Sequence, residues 1–412
     1  MNSDPYSIVR RAILFCFSGW LAFSGHLYGA DPVVSNVRSA QRPGTQLVEI
    51  TYELADPDSS QLTVSVAVSD NAGASYAVPA SSFTGDVGGN VTPGTHKKIT
   101  WDAGKDWPNK FSANMRFRVT ANDQAVPPAP TGMALIPAGS FTMGDTFNDS
   151  SDHWGERPVH PVYVSAFYMD KTEVTKALWD EVKTWAVAHD YNFDYAGLGK
   201  AANHPVQGVS WYDMVKWCNA RSEKEGRTPA YYTDAAQTKV YRTGQVDVQN
   251  DWVKWNRGYR LPTEAEWEKA ARGGASGHRF PWSDTDTITH SRANYYSDAS
   301  YSYDVSPTRG YHPTFSNGAY PYTSPVGYFA ANGYGLYDMA GNVWQWCWDR
   351  YGSYSSGSQT DPRGPTSGSY RVSRGGSWCD VALICRTALR GGYLPGIWRN
   401  FIGFRSVLPP GQ

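Results

Sequence analysis

With 412 residues the chain is too long for one ordinary domain and suits two. Charged residues make up 18% and aromatic residues 14%, with 17 Trp, 27 Tyr, 40 Gly and 26 Pro, which excludes a disordered chain and indicates a loop-rich fold packed on large rings. The formal net charge of −1 leaves no basic surplus to neutralise phosphates, so nucleic acid is excluded as a partner.

In chain order, Arg10 and Arg11 precede an apolar run from Ala12 to Phe23, and small and polar residues continue to Gly29-Ala30. That run is about half of the ~20 residues that span a bilayer. Residues 1–30 are therefore expected to be a cleaved export signal, with a mature chain that starts near Ala30 or Asp31, carries no transmembrane anchor, and is periplasmic or extracellular. Cys16 would leave with the signal. Cys218, Cys347, Cys379 and Cys385 would then work where disulfides persist.

Residues 31–123 alternate with period two. Val48, Ile50, Tyr52 and Leu54 point one way; Leu62, Val64, Val66 and Val68 repeat the pattern, as do Met115, Phe117 and Val119. Turn clusters such as Asp56-Pro57-Asp58-Ser59 and Gly88-Gly89-Asn90 separate the runs. An antiparallel β-sandwich of immunoglobulin or fibronectin-III type is expected. It holds no cysteine and only His96 among histidines, so a packed accessory domain is preferred over a catalytic one. Residues 124–132, with Val126-Pro127-Pro128-Ala129-Pro130, read as a stiff linker.

Residues 133–409 form the second domain. Thr175 to Ala188 has helical spacing, with Leu178, Val182 and Trp185 on one stripe. A second helix runs from Ser210 to Glu225, with Asp213 in the capping-box position and Gly226 as terminator. The third spans Thr263 to Arg272, capped by Thr263 with Glu266 and ended by Gly273-Gly274.

Several segments carry a resemblance. They are Met133 to Gly144, Pro158 to His160, Asp170 to Thr175, Pro205-Val206 with Val209-Ser210-Trp211, Arg260 to Glu268, Asn332 to Trp346, Arg374 to Trp378, and Ile402 to Arg405. In this order they are similar to the sulfatase-modifying-factor family, which includes the formylglycine-generating enzymes. The resemblance implies an α+β fold, with the N-terminal sandwich followed by a loop-rich C-type-lectin-like domain. The motifs are capped helices and tight turns beside large rings, so matching them speaks to the fold more than to activity.

The resemblance also implies a chemistry. Formylglycine-generating enzymes hold copper(I) between two cysteines and oxidise a sulfatase cysteine. Their first cysteine stands three residues after the serine of Arg-Gly-Gly-Ser, with four residues between the two. Counted from Ser377, Cys385 falls on the second position, Asp380 on the first, and Cys379 one residue early. In an extended segment that slip turns Cys379 to the opposite face. A carboxylate does not favour copper(I), and Val381 replaces the histidine usual after the first cysteine. Copper is therefore not expected, and any catalysis would rest on Cys379 and Cys385. Three readings of this pair stay open: Cys385 as a buried residue, preferred; a Cys379–Cys385 disulfide; and a bulge that returns Cys379 to the active position. Relative to the animal enzymes, Cys218 would face Ser406, and a second disulfide would fall on Ala271 and Arg390.

The family also binds calcium near its Gly-Asn-x-Trp-Glu motif. Here one candidate site uses Asp338, Gly341, Val343 and Gln345, and a second uses Asn294, Tyr295 and Asp304. The other reading is that these groups satisfy backbone in a loop-rich core, and for the second site it is preferred. His153, His160, His204, His290 and His312 are scattered and read as structural. The expected function is an exported binding protein without oxidase activity. Its groove would be lined by Trp344, Ser377, Trp378, Asp380 and Arg386 and would take a peptide, protein or glycan; the alternative is a formylglycine-generating oxidase.

Overall fold

The computed structural model describes residues 32–57, 59–108, 110–122, 129–149 and 154–410. The expected export signal, most of the proline-rich linker and His153 lie outside them. The chain divides into two compact units between Ala125 and Val126.

The first unit contains β1 (Val33–Gln41), β2 (Leu47–Ala55), β3 (Leu62–Ser69), β4 (Phe83–Gly85), β5 (Gly88–Val91), β6 (Gly94–Asp102), a one-turn helix α1 (Ala103–Asp106) and β7 (Arg116–Asn122). One sheet has the order β1-β2-β6-β4 and the other β5-β3-β7, and every pairing is antiparallel. Alternation puts every second side chain on one face. Ile50, Tyr52 and Leu54 of β2, Ile99 of β6, Leu62 and Val64 of β3, and Val119 of β7 share one buried cluster. Trp101 closes a neighbouring cluster, its indole N–H donating to Asp106 at 2.9 Å.

The second unit is sheet-rich with few and short helices. It contains β8 (Met133–Ile136), β9 (Gly139–Met143), β10 (His160–Val164), β11 (Phe167–Asp170), α2 (Lys176–Val187), α3 (Trp211–Lys224), α4 (Glu264–Ala271), β12 (Trp344–Arg350), β13 (Gln359–Thr360), β14 (Arg371–Arg374), β15 (Arg390–Tyr393), β16 (Ile402–Gly403) and β17 (Val407–Leu408). Three small sheets form, ordered β13-β10-β9, β17-β11-β8 and β15-β14-β12-β16. No helix among the described residues is long and apolar enough to cross a membrane.

The helix boundaries follow their caps. Thr175 accepts from the Leu178 amide, and Ser210 with Asp213 and Thr263 with Glu266 form complete capping boxes. The buried stripe of α2 is Trp179, Val182 and Ala186; Leu178 and Trp185 are only partly covered. Val182 is common to the expected stripe, whereas Trp179 and Ala186 replace Leu178 and Trp185 on the buried side. Trp179 stacks on Trp217 of α3 at 6.0 Å, and Phe404 meets both rings edge-on.

Helix α4 is buried along its whole length, including Glu264, Glu266 and Glu268. Three buried carboxylates are tolerable only when each is paired. Arg390 grips Glu264 at 2.6 and 2.8 Å, and Arg260 grips Glu266 at 2.7 and 2.6 Å. Arg272 and Arg374 converge on Glu268. Burial pushes the Glu268 carboxyl up, but the two guanidinium groups hold it below its ordinary range.

Candidate functional site

Strand β14 is followed by Gly375 and Gly376, both at positive φ. A side chain at Gly376 would meet Cys385 Sγ and the Ile384 carbonyl, each at 3.0 Å, so the backbone can approach only because that residue is glycine. Gly375 accepts from the Gly341 amide at 2.8 Å, and the Trp378 amide donates to the Asn342 carbonyl at 2.9 Å. The two glycine-rich motifs thus hold each other.

The segment that follows is a turn. The Asp380 amide donates back to the Ser377 carbonyl at 3.1 Å, and the Asp380 carbonyl accepts from Tyr296 at 2.8 Å. Expecting opposite faces for Cys379 and Asp380 presumed an extended chain, and a turn does not alternate. Both side chains instead reach the Ser377 hydroxyl, which donates to Asp380 Oδ2 and lies 3.3 Å from Cys379 Sγ. The Trp344 indole N–H also donates to Asp380 Oδ2, at 2.9 Å.

The four cysteines among the described residues are free thiols, so the disulfide reading of Cys379 and Cys385 is not what the structure contains. Cys385 is fully buried in a cluster with Phe280, Ile288, Ala293, Tyr295, Ala340 and Ala382. Burial, then the charge of Asp380, pushes the Cys379 thiol up to about 11 and Cys385 well above its ordinary range. Burial likewise raises Asp380, against the bonds from Ser377 and Trp344.

The other expected groove residues face inward. Trp344 and Trp378 are almost wholly buried. Trp378 packs against Tyr311, Tyr320 and Tyr322 at 5.3–5.8 Å. Arg386 lines no open surface; it is fully buried and bonds Glu156 at 3.0 and 2.8 Å. A guanidinium beside large rings looks like a ligand contact in sequence, but its carboxylate partner lies 230 positions away.

The calcium candidates separate on their oxygens. Gln345 Oε1 accepts from Trp267 and from Arg405, both at 2.7 Å, and its amide donates to the Asp338 carbonyl at 3.0 Å. That carboxamide has nothing left for a cation. Gly341 serves the backbone: a side chain there would sit 2.3 Å from the Asn294 carbonyl. Val343 is fully buried and packs on Gly403. In the second candidate, Asp304 accepts from Tyr295, Ser297, Asp298 and Ser306, and Arg309 adds a guanidinium at 3.1 Å that also bonds Ser297. Arg309 thus supplies the cation at Asp304, while Asn294 donates its amide to the Tyr322 carbonyl at 2.8 Å and leaves its buried Oδ1 without a partner among the described residues.

Asp338 differs. Its Oδ2 accepts from Gly327 at 2.6 Å, while its buried Oδ1 has no hydrogen-bond partner among the described residues. Glu173 Oε1 and Ser324 Oγ are equally unpartnered. Asn342 ties them into one neighbourhood, donating to Glu173 at 3.5 Å and accepting from the Ser324 amide at 3.0 Å. Burial pushes Asp338 up to about 6; burial and the charge of Asp338 push Glu173 well above its usual value. In the sequence Glu173 is one residue of the Asp170 to Thr175 motif, and nothing local distinguishes it from the arginine-paired glutamates of α4.

A profile of the sulfatase-modifying factor enzyme 1-like domain matches residues 118–409. The formylglycine-generating enzyme of Streptomyces coelicolor is 32% identical over 304 residues, covering 69% of this chain and 91% of that protein. The chaperone protein LppX of Paenibacillus barcinonensis is 34% identical over 256 residues, covering 60% and 78%. Among solved structures, Treponema denticola variable protein 1 superposes with a TM-score of 0.51 at 30% identity, covering 68% of this chain and 95% of that one.

Proposed function

The chain belongs to the sulfatase-modifying factor enzyme 1-like family, and from that premise we propose that it is an exported binding member of the family without copper oxidase activity. The observation that carries this reading is Asp380. Its carboxylate takes the Ser377 hydroxyl and the Trp344 indole N–H, at the position counted from Ser377 for the first copper-binding cysteine. Copper(I) selects thiolates. Relatives that bear the names of an enzyme and a chaperone support keeping membership apart from activity.

In this reading the second unit is a C-type-lectin-like scaffold, and the first is an immunoglobulin- or fibronectin-III-like sandwich that acts as an accessory module. Export places both outside the cytoplasm. Calcium, where it binds, is held by Asp338 together with Glu173 and Ser324, whose unpartnered oxygens suit a hard cation. The groups at Gln345 and Asp304 do not fit one.

One observation favours the oxidase instead: Cys379 Sγ shares the Ser377 hydroxyl with Asp380 and so is not turned away from the site. The test is incubation with copper(I), oxygen and a sulfatase-derived Cys-x-Pro-x-Arg peptide. Persistence of the peptide thiol is expected. Aldehyde formation that disappears in Cys385→Ala would sink the binding reading and establish the oxidase.

A further inference from the structure

Beside the Ser377–Asp380 turn lies an open cavity of about 720 Å³. Trp378 connects the two, donating its indole N–H to the Asn400 carbonyl at 3.3 Å and packing on Tyr320 at 5.3 Å. Three large apolar side chains at this cavity stay exposed: Tyr320 at 56%, Leu198 at 50% and Trp398 at 43%. Two cations join them, Lys200 and Arg399, and neither has a carboxylate partner among the described residues. Lys200 donates only to the Phe315 carbonyl at 3.3 Å, and Arg399 only to the Trp398 carbonyl at 2.8 Å. No carboxylate lines the cavity.

Exposed aromatic faces beside uncompensated cations call for an occupant with an apolar face and a negative charge. The backbone argues against an extended peptide. Leu198 and Gln207 spend their amides and carbonyls on each other at 2.7 and 2.9 Å, and the Arg399 carbonyl accepts from Gly208 at 3.0 Å. Peptide capture by strand addition needs such groups free. A sugar ring needs none of them, because its C–H face lies on an aromatic ring and its acid group pairs with exposed cations.

We infer that this cavity binds an anionic saccharide, carboxylated or sulfated, with Tyr320 and Trp398 as platforms and Lys200 and Arg399 pairing with the acid. The inference deepens the binding reading above by naming its ligand class.

The experiment is titration of the full chain, followed by tryptophan fluorescence, with a heparin-derived hexasaccharide, an oligogalacturonate, a neutral maltohexaose and an oligoglutamate peptide. At least one acidic sugar should bind, and binding should weaken as salt rises because the cations are exposed. The sulfated and carboxylated arms identify the acid. Lys200→Ala with Arg399→Ala should weaken binding tenfold or more, and Tyr320→Ala should do the same. Lys200, Arg399 and Tyr320 are exposed, so these variants should fold, and an unchanged thermal transition verifies it. Equal binding of maltohexaose, preference for oligoglutamate, no binding of either acidic sugar, or indifference to the substitutions would each overturn the inference. Aldehyde formation in the copper assay would overturn the binding reading and leave a measured saccharide affinity standing, so the two failures are told apart.

Discussion

Helix α4 and the neighbourhood of Asp338 both bury carboxylates, and they treat them in opposite ways. On α4 each of Glu264, Glu266 and Glu268 has at least one arginine at hydrogen-bond distance. Around Asp338, the Arg405 guanidinium spends its donors on Gln345 and on the carbonyls of Asp170, Lys171 and Tyr337, so Asp338 and Glu173 each keep a bare oxygen. Asp380 lies between the extremes, bonded only by neutral donors. Paired charges read as architecture. Unpaired ones mark where the molecule has kept something available.

The largest effect should come from breaking the paired set. Glu268→Ala leaves Arg272 and Arg374 without their shared carboxylate, and is expected to cost about 3–5 kcal/mol in the urea transition of the second unit. A loss below about 1 kcal/mol would mean that α4 does not depend on its ion pairs.

The unpaired set should respond in the other direction. The native state holds a proton on Asp338 up to about pH 6, whereas the unfolded chain releases it near 3.9. The folded chain therefore binds more protons between these values, and this contribution to stability falls as pH rises from about 4 to about 6. In calcium-free buffer Asp338→Asn should remove that slope and raise stability at pH 7 by about 1–3 kcal/mol. Added calcium should raise the melting temperature of the wild type and leave the variant unchanged. A calcium response retained by Asp338→Asn would remove Asp338 from the cation site.

Smaller effects sharpen the contrast. Thr175→Ala deletes only a cap on the half-exposed helix α2 and should cost about 1 kcal/mol by chemical denaturation. Asp380→Asn keeps an oxygen for Ser377 and Trp344 and should change stability by less than about 1 kcal/mol. It should nevertheless move the pH midpoint of Cys379 alkylation below about 11, because the neighbouring negative charge is gone. An unmoved midpoint would show that burial alone holds the thiol protonated.

What could be read from the amino-acid order was local. The capping boxes Ser210/Asp213 and Thr263/Glu266 are three residues long, and both formed. The alternation of Ile50, Tyr52 and Leu54 is a property of one strand, and those positions are buried. The motif series from Met133 to Arg405 identified the family, because short glycine, aromatic and cap patterns in one order survive without knowledge of their contacts.

The site was decided elsewhere. Counting from Ser377 located Asp380 correctly in the chain, but whether Cys379 faces it depended on a turn closed by Tyr296 and Asn342 from distant segments. Arg386 and Gln345 looked available until Glu156, Trp267 and Arg405 arrived to occupy them. Asp304 looked like a cation ligand until Arg309 filled the place. Local order determines which hydrogen-bonding groups exist and which turns and caps they can close, because those bonds span a few residues. Only the tertiary structure decides which of those groups remain unpaired, because their partners come from anywhere in the chain.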